Sequence, residues 1–200
     1  SIGALIDAVR ETCGNLIASF EGQGGCEFVN EFAIKFPTYV FLDLMDLPRD
    51  KAELFMDWEE DIMRAPDVMD RVKAAREIYA YLCQHKDAQS AAPSNALNSA
   101  ITTGTFEGRP LDHYEMMGMY YVLWAGGLDT VYSTLGWIMR HLATHPELQE
   151  ELRANPDMIA FKDNQGRIIN SIFFAGERNQ PRLYLLRRVR RGHSVQIRAG

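Results

Sequence analysis

Residues 121–135 read YVLWAGGLDTVYSTL, a hydrophobic run with flexible and polar residues at its centre. Gly126 and Gly127 together cost a helix roughly 2 kcal/mol relative to alanine. Asp129 and Thr130 add a carboxylate and a hydroxyl, whose burial is unfavourable unless other groups pair with them. Both the paired glycines and the polar side chains therefore have to be explained, either by packing or by chemistry.

Two interpretations of this segment stay open when only its residues are considered. In the first, the paired glycines let a flat group or another backbone approach a helix closely, because no Cβ stands in the way. Thr130 can then bond the carbonyl four residues earlier and open the helix locally, while Asp129 exchanges protons with water. In the second, the small residues pack against another helix and Asp129 forms an ion pair with a basic partner.

Helical periodicity dominates the chain up to residue 159. The quoted segment lies at the centre of a long predicted helix that runs from His113 to about His145, with Asp112 as its N-cap. Residues 90–100 (SAAPSNALNSA) are small and polar and predict a loop. The pattern predicts a mainly α fold with a long central helix and little β structure.

An acidic run beside Trp58 consists of Glu59, Glu60 and Asp61. Three consecutive carboxylates are typical of a solvent-exposed helix face, because burying a charge is costly unless it is paired. We therefore predict that this cluster is exposed.

After Ile159 the sequence changes character. Residues 160–174 (AFKDNQGRIINSIFF) predict a hairpin about Asn164-Gln165-Gly166, and six arginines lie between Arg182 and Arg198. The basic stretch is interpreted either as a solvated face or as a site for an anionic partner. We therefore divide the chain into a helical region, 1–159, and a divergent basic tail, 160–200.

The composition of the chain argues against several classes of protein. A net charge of −6 disfavours a general nucleic-acid binder. No apolar run reaches the roughly 20 residues that a membrane helix needs, and nothing at Ser1 resembles a secretory signal. Cys13, Cys26 and Cys83 form no C-x-x-C pair, which predicts a reducing, cytoplasmic setting without a zinc site.

Two blocks of the sequence resemble the cytochrome P-450 family. AGGLDT (125–130), followed by HLATHPELQEELRANP (141–156), resembles the pattern [A/V]-G-x-[D/E]-T of the family's distal helix and the segment that follows it. Upstream, GQGGCEFVNEFAIKFPTYVFLDLMDLPRD (22–50) resembles the stretch G-x-x-D-F-x-x-x-[F/Y]-A-x-x-[F/I]-P-x-x-V-x-x-x-L-x-x-L-P. The details are similar to bacterial, soluble members of the camphor-hydroxylase type, and the resemblance covers about residues 5–159.

The resemblance implies a haem-thiolate monooxygenase that uses dioxygen and electrons from a ferredoxin-type partner. Ala125, Gly126 and Gly127 would bind the haem. Asp129 and Thr130 would be the catalytic residues, because they would deliver the protons that oxygen activation requires.

The resemblance also implies a small apolar substrate, which the enzyme would hydroxylate. Val122, about one turn before the glycines, would contact this substrate. Met63, in the segment before Pro66, would close over it.

The iron ligand is the point at which the sequence departs from the family. The family's cysteine lies in F-x-x-G-x-x-x-C-x-G, and FFAGERNQPRLYLLRR (173–188) resembles an eroded copy in which Phe173 and Gly176 match. Gln180 stands at the cysteine position, and an amide cannot supply thiolate donation. No other residue is predicted to bind a metal.

This departure leaves two hypotheses about function. In one, the chain is a cytochrome P-450-type monooxygenase that is inactive as written. In the other, it is a haem-free helical remnant that binds a partner protein or an apolar ligand, or that forms a homo-oligomer.

Overall fold

The computed structural model describes residues 2–155 and the backbone of three short segments at 161–162, 168–169 and 196–198, with side chains described for 6–155. Helices dominate these parts of the chain, so the prediction of a mainly α fold is confirmed. The elements are, in order, α1 (Ile2–Ala18), β1 (Gly25–Glu27), α2 (Lys35–Met45), α3 (Ala52–Arg64), α4 (Val68–Ala91), α5 (Ala96–Thr102), β2 (Thr105–Phe106), β3 (Arg109–Pro110), α6 (His113–Thr144), α7 (Pro146–Ala154), β4 (Phe161–Lys162), β5 (Ile168–Ile169) and β6 (Gln196–Arg198).

The long helix α6 begins at the predicted N-cap. The Asp112 carboxylate accepts a hydrogen bond from the Glu115 backbone N–H at 2.9 Å, and the Glu115 carboxylate accepts one from the Asp112 N–H at 2.8 Å. Two nitrogens of Arg109 also donate to Glu115, at 2.8 and 2.7 Å. These bonds, first those from Arg109 and then that from the Asp112 backbone, lower the pKa of Glu115 to about 2. The start of α6 is thus fixed by reciprocal capping.

One face of α6 is buried in the main hydrophobic core. Met117, Tyr120, Trp124 and Leu128 follow one another at intervals of three or four residues, which places them on a single side of the helix. Helices α2, α3 and α4 pack around this side and contribute most of the other core residues: Phe41, Leu42, Met45, Phe55, Trp58, Ala74, Ile78 and Leu82. The core therefore fixes how α3 lies against the centre of α6.

A second hydrophobic cluster joins the end of α6 to the first part of the chain. Leu16 of α1 packs with Phe28 and Phe32. Phe32 lies in a π-helical turn at Val29–Ala33, and Phe28 directly precedes this turn. Tyr132 and Met139 of α6 cover this cluster. It anchors α1 to the half of α6 that follows the glycines.

The loop predicted for residues 90–100 is wrong in its second half, where α5 forms. Asn95 caps the helix by accepting from the Asn98 N–H at 2.9 Å. The Asn98 side chain is fully buried, donates to the Met45 carbonyl at 3.0 Å and accepts from the Tyr120 hydroxyl at 3.0 Å. The polar composition thus serves capping and buried hydrogen bonds, which local composition alone does not distinguish from a loop.

The short strands form antiparallel pairs. Strand β4 pairs with β5, with Phe161 opposite Ile169, as a hairpin in this segment requires, and the turn predicted at 164–166 lies outside the described residues. Strand β6 pairs with β1, with Cys26 opposite Ile197. None of the helices that the structure describes is long and apolar enough to cross a membrane. The division of the chain at residue 159 stays a prediction.

Candidate functional site

A continuous strip on α6 is left open to solvent opposite the buried face. It consists of Gly118, Val122, Gly126 and Thr130, which are spaced four residues apart and therefore lie one above another. Val122 is 69% exposed, and no described atom lies within 4 Å of the position that a Cβ would occupy at Gly118 or Gly126. We call these four residues the open strip.

The other two predicted haem-contact residues flank the open strip. Ala125 and Gly127 are half-buried, and no described atom lies within 4 Å of a Cβ position at Gly127. The glycines therefore do not pack against a neighbouring helix among the described residues, which removes the small-residue packing explanation for them there. Space for an additional group remains beside them.

Thr130 makes the hydrogen bond predicted for it. Its hydroxyl donates to the Gly126 carbonyl, four residues earlier, at 2.6 Å. Helix α6 nevertheless stays α-helical from His113 to Thr144, so this bond does not interrupt it. The hydroxyl is held at the open strip, next to the glycine that leaves space there.

Asp129 points toward α3 and has a basic partner. Its carboxylate accepts a hydrogen bond from Nη2 of Arg64 at 2.8 Å, and the guanidinium lies 4.9 Å from the ring centre of Tyr132. The ion pair of the second interpretation is thus present, together with the open glycine surface of the first. Asp129 and Thr130 are adjacent but face different surroundings.

Arg64 also binds Glu59, which corrects the prediction for this member of the acidic run, whereas Asp61 is exposed as predicted. Nη1 of Arg64 donates to Glu59 at 3.1 Å and lies 3.5 Å from a Glu60 oxygen. Glu59 is buried, whereas the sequence predicted a solvent-exposed cluster. Its position explains the difference, because Glu59 follows Phe55 by four residues and precedes Ile62 by three, on the buried side of α3.

The surroundings of Glu59 change its ionisation. Burial raises its pKa, the charge and hydrogen bond of Arg64 oppose this effect, and Asp129 raises the pKa further through a hydrogen bond and repulsion. The result is a pKa of about 7. Glu59 is therefore a carboxyl group that can hold a proton near neutral pH.

Met63 lies in the last turn of α3 and is 41% exposed. Val122 is exposed on the open strip. Both side chains are thus accessible, as a substrate contact requires, and their roles stay predictions.

Comparison with known proteins matches this helical arrangement to one family. A model described as cytochrome P450 (written P-450 here) matches residues 42–172, which include α6 and the open strip. The chain belongs to the cytochrome P-450 family. The family resemblance of the sequence is thereby confirmed.

Individual members of the family agree with this assignment. A probable cytochrome P-450 127A1 of Sinorhizobium fredii is 28% identical over 77% of this chain and 34% of its own length. The vitamin D(3) 25-hydroxylase of Pseudonocardia autotrophica is 23% identical over 76% of this chain and 38% of its own. The LnmA cytochrome P-450 hydroxylase of Streptomyces atroolivaceus superposes with a TM-score of 0.73, at 26% identity, over 78% of this chain and 41% of its own. The chain thus spans well under half the length of the relatives it matches.

The predicted haem contact requires a surface of small residues on α6, and the open strip provides one. A flat macrocycle needs an uninterrupted surface of small residues, and Gly126 and Gly127 provide space where a Cβ would otherwise project. The residues that would contact the haem on this side are Ala125, Gly126 and Gly127.

The cysteines of the chain are engaged away from the open strip. The Cys83 thiol lies 3.6 Å from the Met117 sulfur on the buried side of α6. Cys13 and Cys26 belong to the cluster beside α1, and burial is the first cause that raises the pKa of the Cys26 thiol. Gln180 and the surrounding segment lie outside the described residues. Within the described part of the chain, no group of three or more His, Cys, Asp or Glu side chains could hold a metal ion.

Arg64 and the burial of Glu59 are the features of this site that sequence reasoning missed. Arg64 is 65 residues from Asp129 in the chain, so only the packing of α3 against α6 shows that they meet. The helical spacing of Glu59 with Phe55 and Ile62 was a usable signal for its burial. The charge of its neighbours Glu60 and Asp61 suggested the opposite.

Proposed function

We propose that this chain carries the distal half of the active site of a cytochrome P-450 monooxygenase. The observation that supports this most directly is the open strip, in which the space beside Gly126 adjoins the Thr130 hydroxyl, while the neighbouring Asp129 carboxylate is held by Arg64 of α3. When bound, the family's haem supplies the thiolate-ligated iron at which dioxygen is activated.

The residues of the chain would have distinct roles around the haem. Ala125, Gly126 and Gly127 would lie against the face of the haem and keep it close to the helix. Thr130 would orient a proton with its hydroxyl, whose position is fixed by the bond to the Gly126 carbonyl. Asp129 would exchange that proton with its surroundings, since a carboxylate at hydrogen-bond distance can act as a general acid or base.

The reaction we propose is hydroxylation of a small apolar molecule, with electrons supplied by a ferredoxin-type protein. Val122 and Met63 are exposed apolar side chains that would contact such a molecule. Two of the relatives described above are named hydroxylases, which supports this type of reaction.

Haem uptake by the 200-residue chain tests this proposal. The protein is titrated with haem, then reduced and exposed to carbon monoxide while its absorption spectrum is recorded. We expect haem uptake by the chain, with a Soret band at the thiolate position only in a Gln180→Cys variant, because Gln180 stands where the family has its cysteine and an amide cannot supply thiolate donation. A band at another position in Gln180→Cys would contradict the monooxygenase while keeping a haem site.

The competing hypothesis predicts a different result. A chain that takes up no haem, and instead forms a dimer whose interface includes Val122, would contradict the proposed function. Sedimentation of the haem-free protein, compared with a Val122→Lys variant, distinguishes this case, because a charge on the strip would disrupt such an interface.

A further inference from the structure

Arg64 joins two carboxyl groups from different helices. Its Nη1 donates to Glu59 of α3 at 3.1 Å, and its Nη2 donates to Asp129 of α6 at 2.8 Å. Because each carboxyl uses its own nitrogen, neither has to leave for the other to bind. The guanidinium can therefore stabilise a negative charge on whichever of the two carries it.

The two carboxyl groups differ in their access to water. The Glu59 side chain is 3% exposed, whereas that of Asp129 is 28% exposed. One oxygen of Glu59, Oε2, is buried and receives no hydrogen bond from the described residues. A bare carboxylate oxygen in this position is costly, whereas a protonated one can donate to a neighbouring carboxylate, and Asp129 is held beside Glu59 on the other nitrogen of the same guanidinium.

The charges around Glu59 favour the protonated form. Glu60 of the same helix and Asp129 of α6 share Arg64 with it. Two charged residues of α4 bind groups other than Glu59. Glu77 accepts a hydrogen bond from the Trp58 indole at 3.0 Å, and Arg71 donates to the Ala65 carbonyl at 2.6 Å. Arg64 is thus shared among three carboxyls, and the most buried of them is the one that gains most from neutrality.

We propose that Glu59 stores a proton and passes it to Asp129, and that Arg64 stabilises the charge before and after the transfer. In this step the O–H bond of Glu59 breaks and an O–H bond forms on Asp129, so the total charge of the three groups is unchanged. The inference rests on the proposed function, because consumption of the proton at the open strip drives the transfer forward. Between turnovers the reverse step refills Glu59 from Asp129, which exchanges protons with water.

Glu59 acts through Asp129 and is therefore a positioning residue of the proton pathway. Its burial, the opposing effect of Arg64 and the contribution of Asp129 together hold its pKa at about 7. An acid with such a pKa is protonated in a large fraction of molecules near neutral pH, while its conjugate base remains strong enough to be refilled.

Carboxyl NMR of the haem-free chain tests the proposal without any enzymatic activity. The side-chain carboxyl carbons of Glu and Asp are labelled and followed as the pH is changed. We expect Glu59 to titrate with a midpoint near 7, and the Asp129 resonance to shift over the same pH range because the charge changes on a carboxyl held by the same guanidinium. A Glu59 midpoint near its ordinary value of 4.5 would overturn the proposal.

Two substitutions make the titration specific. In Asp129→Asn the Glu59 midpoint should fall toward its ordinary value, because the substitution removes the negative charge that raises it. Glu53→Gln removes an exposed carboxyl from the same helix and should leave the midpoint unchanged. An unchanged midpoint in Asp129→Asn would overturn the proposal; if that variant does not fold, the response of Asp129 in the wild-type titration decides.

The haem-loaded protein separates this inference from the proposed function. In haem-loaded protein that also carries Gln180→Cys, which restores the cysteine of the family pattern, Glu59→Gln should lower the product formed per dioxygen consumed several-fold and should remove the pH dependence of this ratio near neutrality, whereas Glu53→Gln should not. An unchanged ratio in Glu59→Gln would reject the proton store and leave the monooxygenase intact. A failure to bind haem would reject the proposed function, while the NMR titration would still decide whether Glu59 and Asp129 share a proton.

Discussion

The two faces of helix α6 have opposite properties. One face carries Tyr120 and Trp124, large side chains that are at most 1% exposed and lie in the main core. The other carries Val122, Gly126 and Thr130, which are exposed and contact little of the described protein. A single helix thus presents a surface that determines the fold and another that the described part of the chain leaves uncovered.

The difference between the faces shows which contacts compensate for the unfavourable glycines and the Asp129 carboxylate of α6. The glycines reduce helix stability, but Trp124, two positions before Gly126, and Tyr120, one turn earlier, bury large apolar surfaces that outweigh this loss. Asp129 lies at the border between the faces, where Arg64 pairs with it. Substitutions on the buried face should therefore change folding, and substitutions on the open strip should change ligand binding and chemistry.

The largest effect is expected on the buried face. Trp124→Ala should destabilise the protein by about 3–5 kcal/mol, because it removes a buried aromatic side chain and leaves a cavity in the main core. The measurement is urea unfolding followed by circular dichroism. Val122→Ala, two residues earlier on the open strip, is the matched control and should change stability by less than about 0.5 kcal/mol. Equal losses in the two variants would show that the strip is covered in solution.

The next effect concerns the border between the faces and depends on pH. The pKa of Glu59 is raised from 4.5 to about 7 in the folded protein, so the folded state binds more protons than the unfolded state between these values. The contribution of Glu59 to stability is therefore fully present below pH 4.5 and is lost as the pH rises through about 7. The loss should reach at most about 3 kcal/mol.

Glu59→Gln should remove this pH dependence. Relative to wild type, the variant should become more stable as the pH rises from about 5 to about 8, because it avoids a buried charge. Urea unfolding at several pH values measures the difference. Glu53→Gln corrects for all other titrating groups, and parallel curves for Glu59→Gln and wild type would contradict the raised pKa.

The third prediction is that one substitution on the open strip increases stability and abolishes haem binding. Gly126→Leu should stabilise the haem-free protein by about 0.5–1 kcal/mol, because leucine favours the helix and the space beside residue 126 is open. The same side chain should prevent haem uptake, since it fills the space that the haem would occupy. Thermal unfolding and a haem titration measure the two effects.

A second glycine of the strip provides the control for this substitution. Gly118→Leu should give the same gain in stability, because its Cβ position is equally open. It should keep haem uptake, because it lies eight residues and about 12 Å away along the helix. Loss of haem uptake in both variants would show that the effect does not depend on the position of the glycine.

The sequence was sufficient to predict features that depend on local pattern. The span of α6 and its Asp112 cap follow from periodicity and capping chemistry, and the family follows from the resemblance of two sequence blocks, one of them around Gly126. The contact of Arg64 with Asp129 depends on packing between distant segments, which no local pattern encodes. The burial of Asn98 was missed for a related reason, because its partners Met45 and Tyr120 come from two other helices.

The smallest effect on stability, and the most specific effect on chemistry, is expected at Thr130. Thr130→Val keeps the shape of the side chain and removes only the hydroxyl that donates to the Gly126 carbonyl. Since valine and threonine have similar helix propensities and the site is exposed, stability should change by less than about 0.5 kcal/mol. In haem-loaded protein that also carries Gln180→Cys, the variant should still consume dioxygen but form less product, because the oriented proton is lost. Thr134→Val, one turn later on α6, is the control and should change neither stability nor product yield. An unchanged product yield in Thr130→Val would remove Thr130 from the proposed proton pathway and leave that role to Asp129.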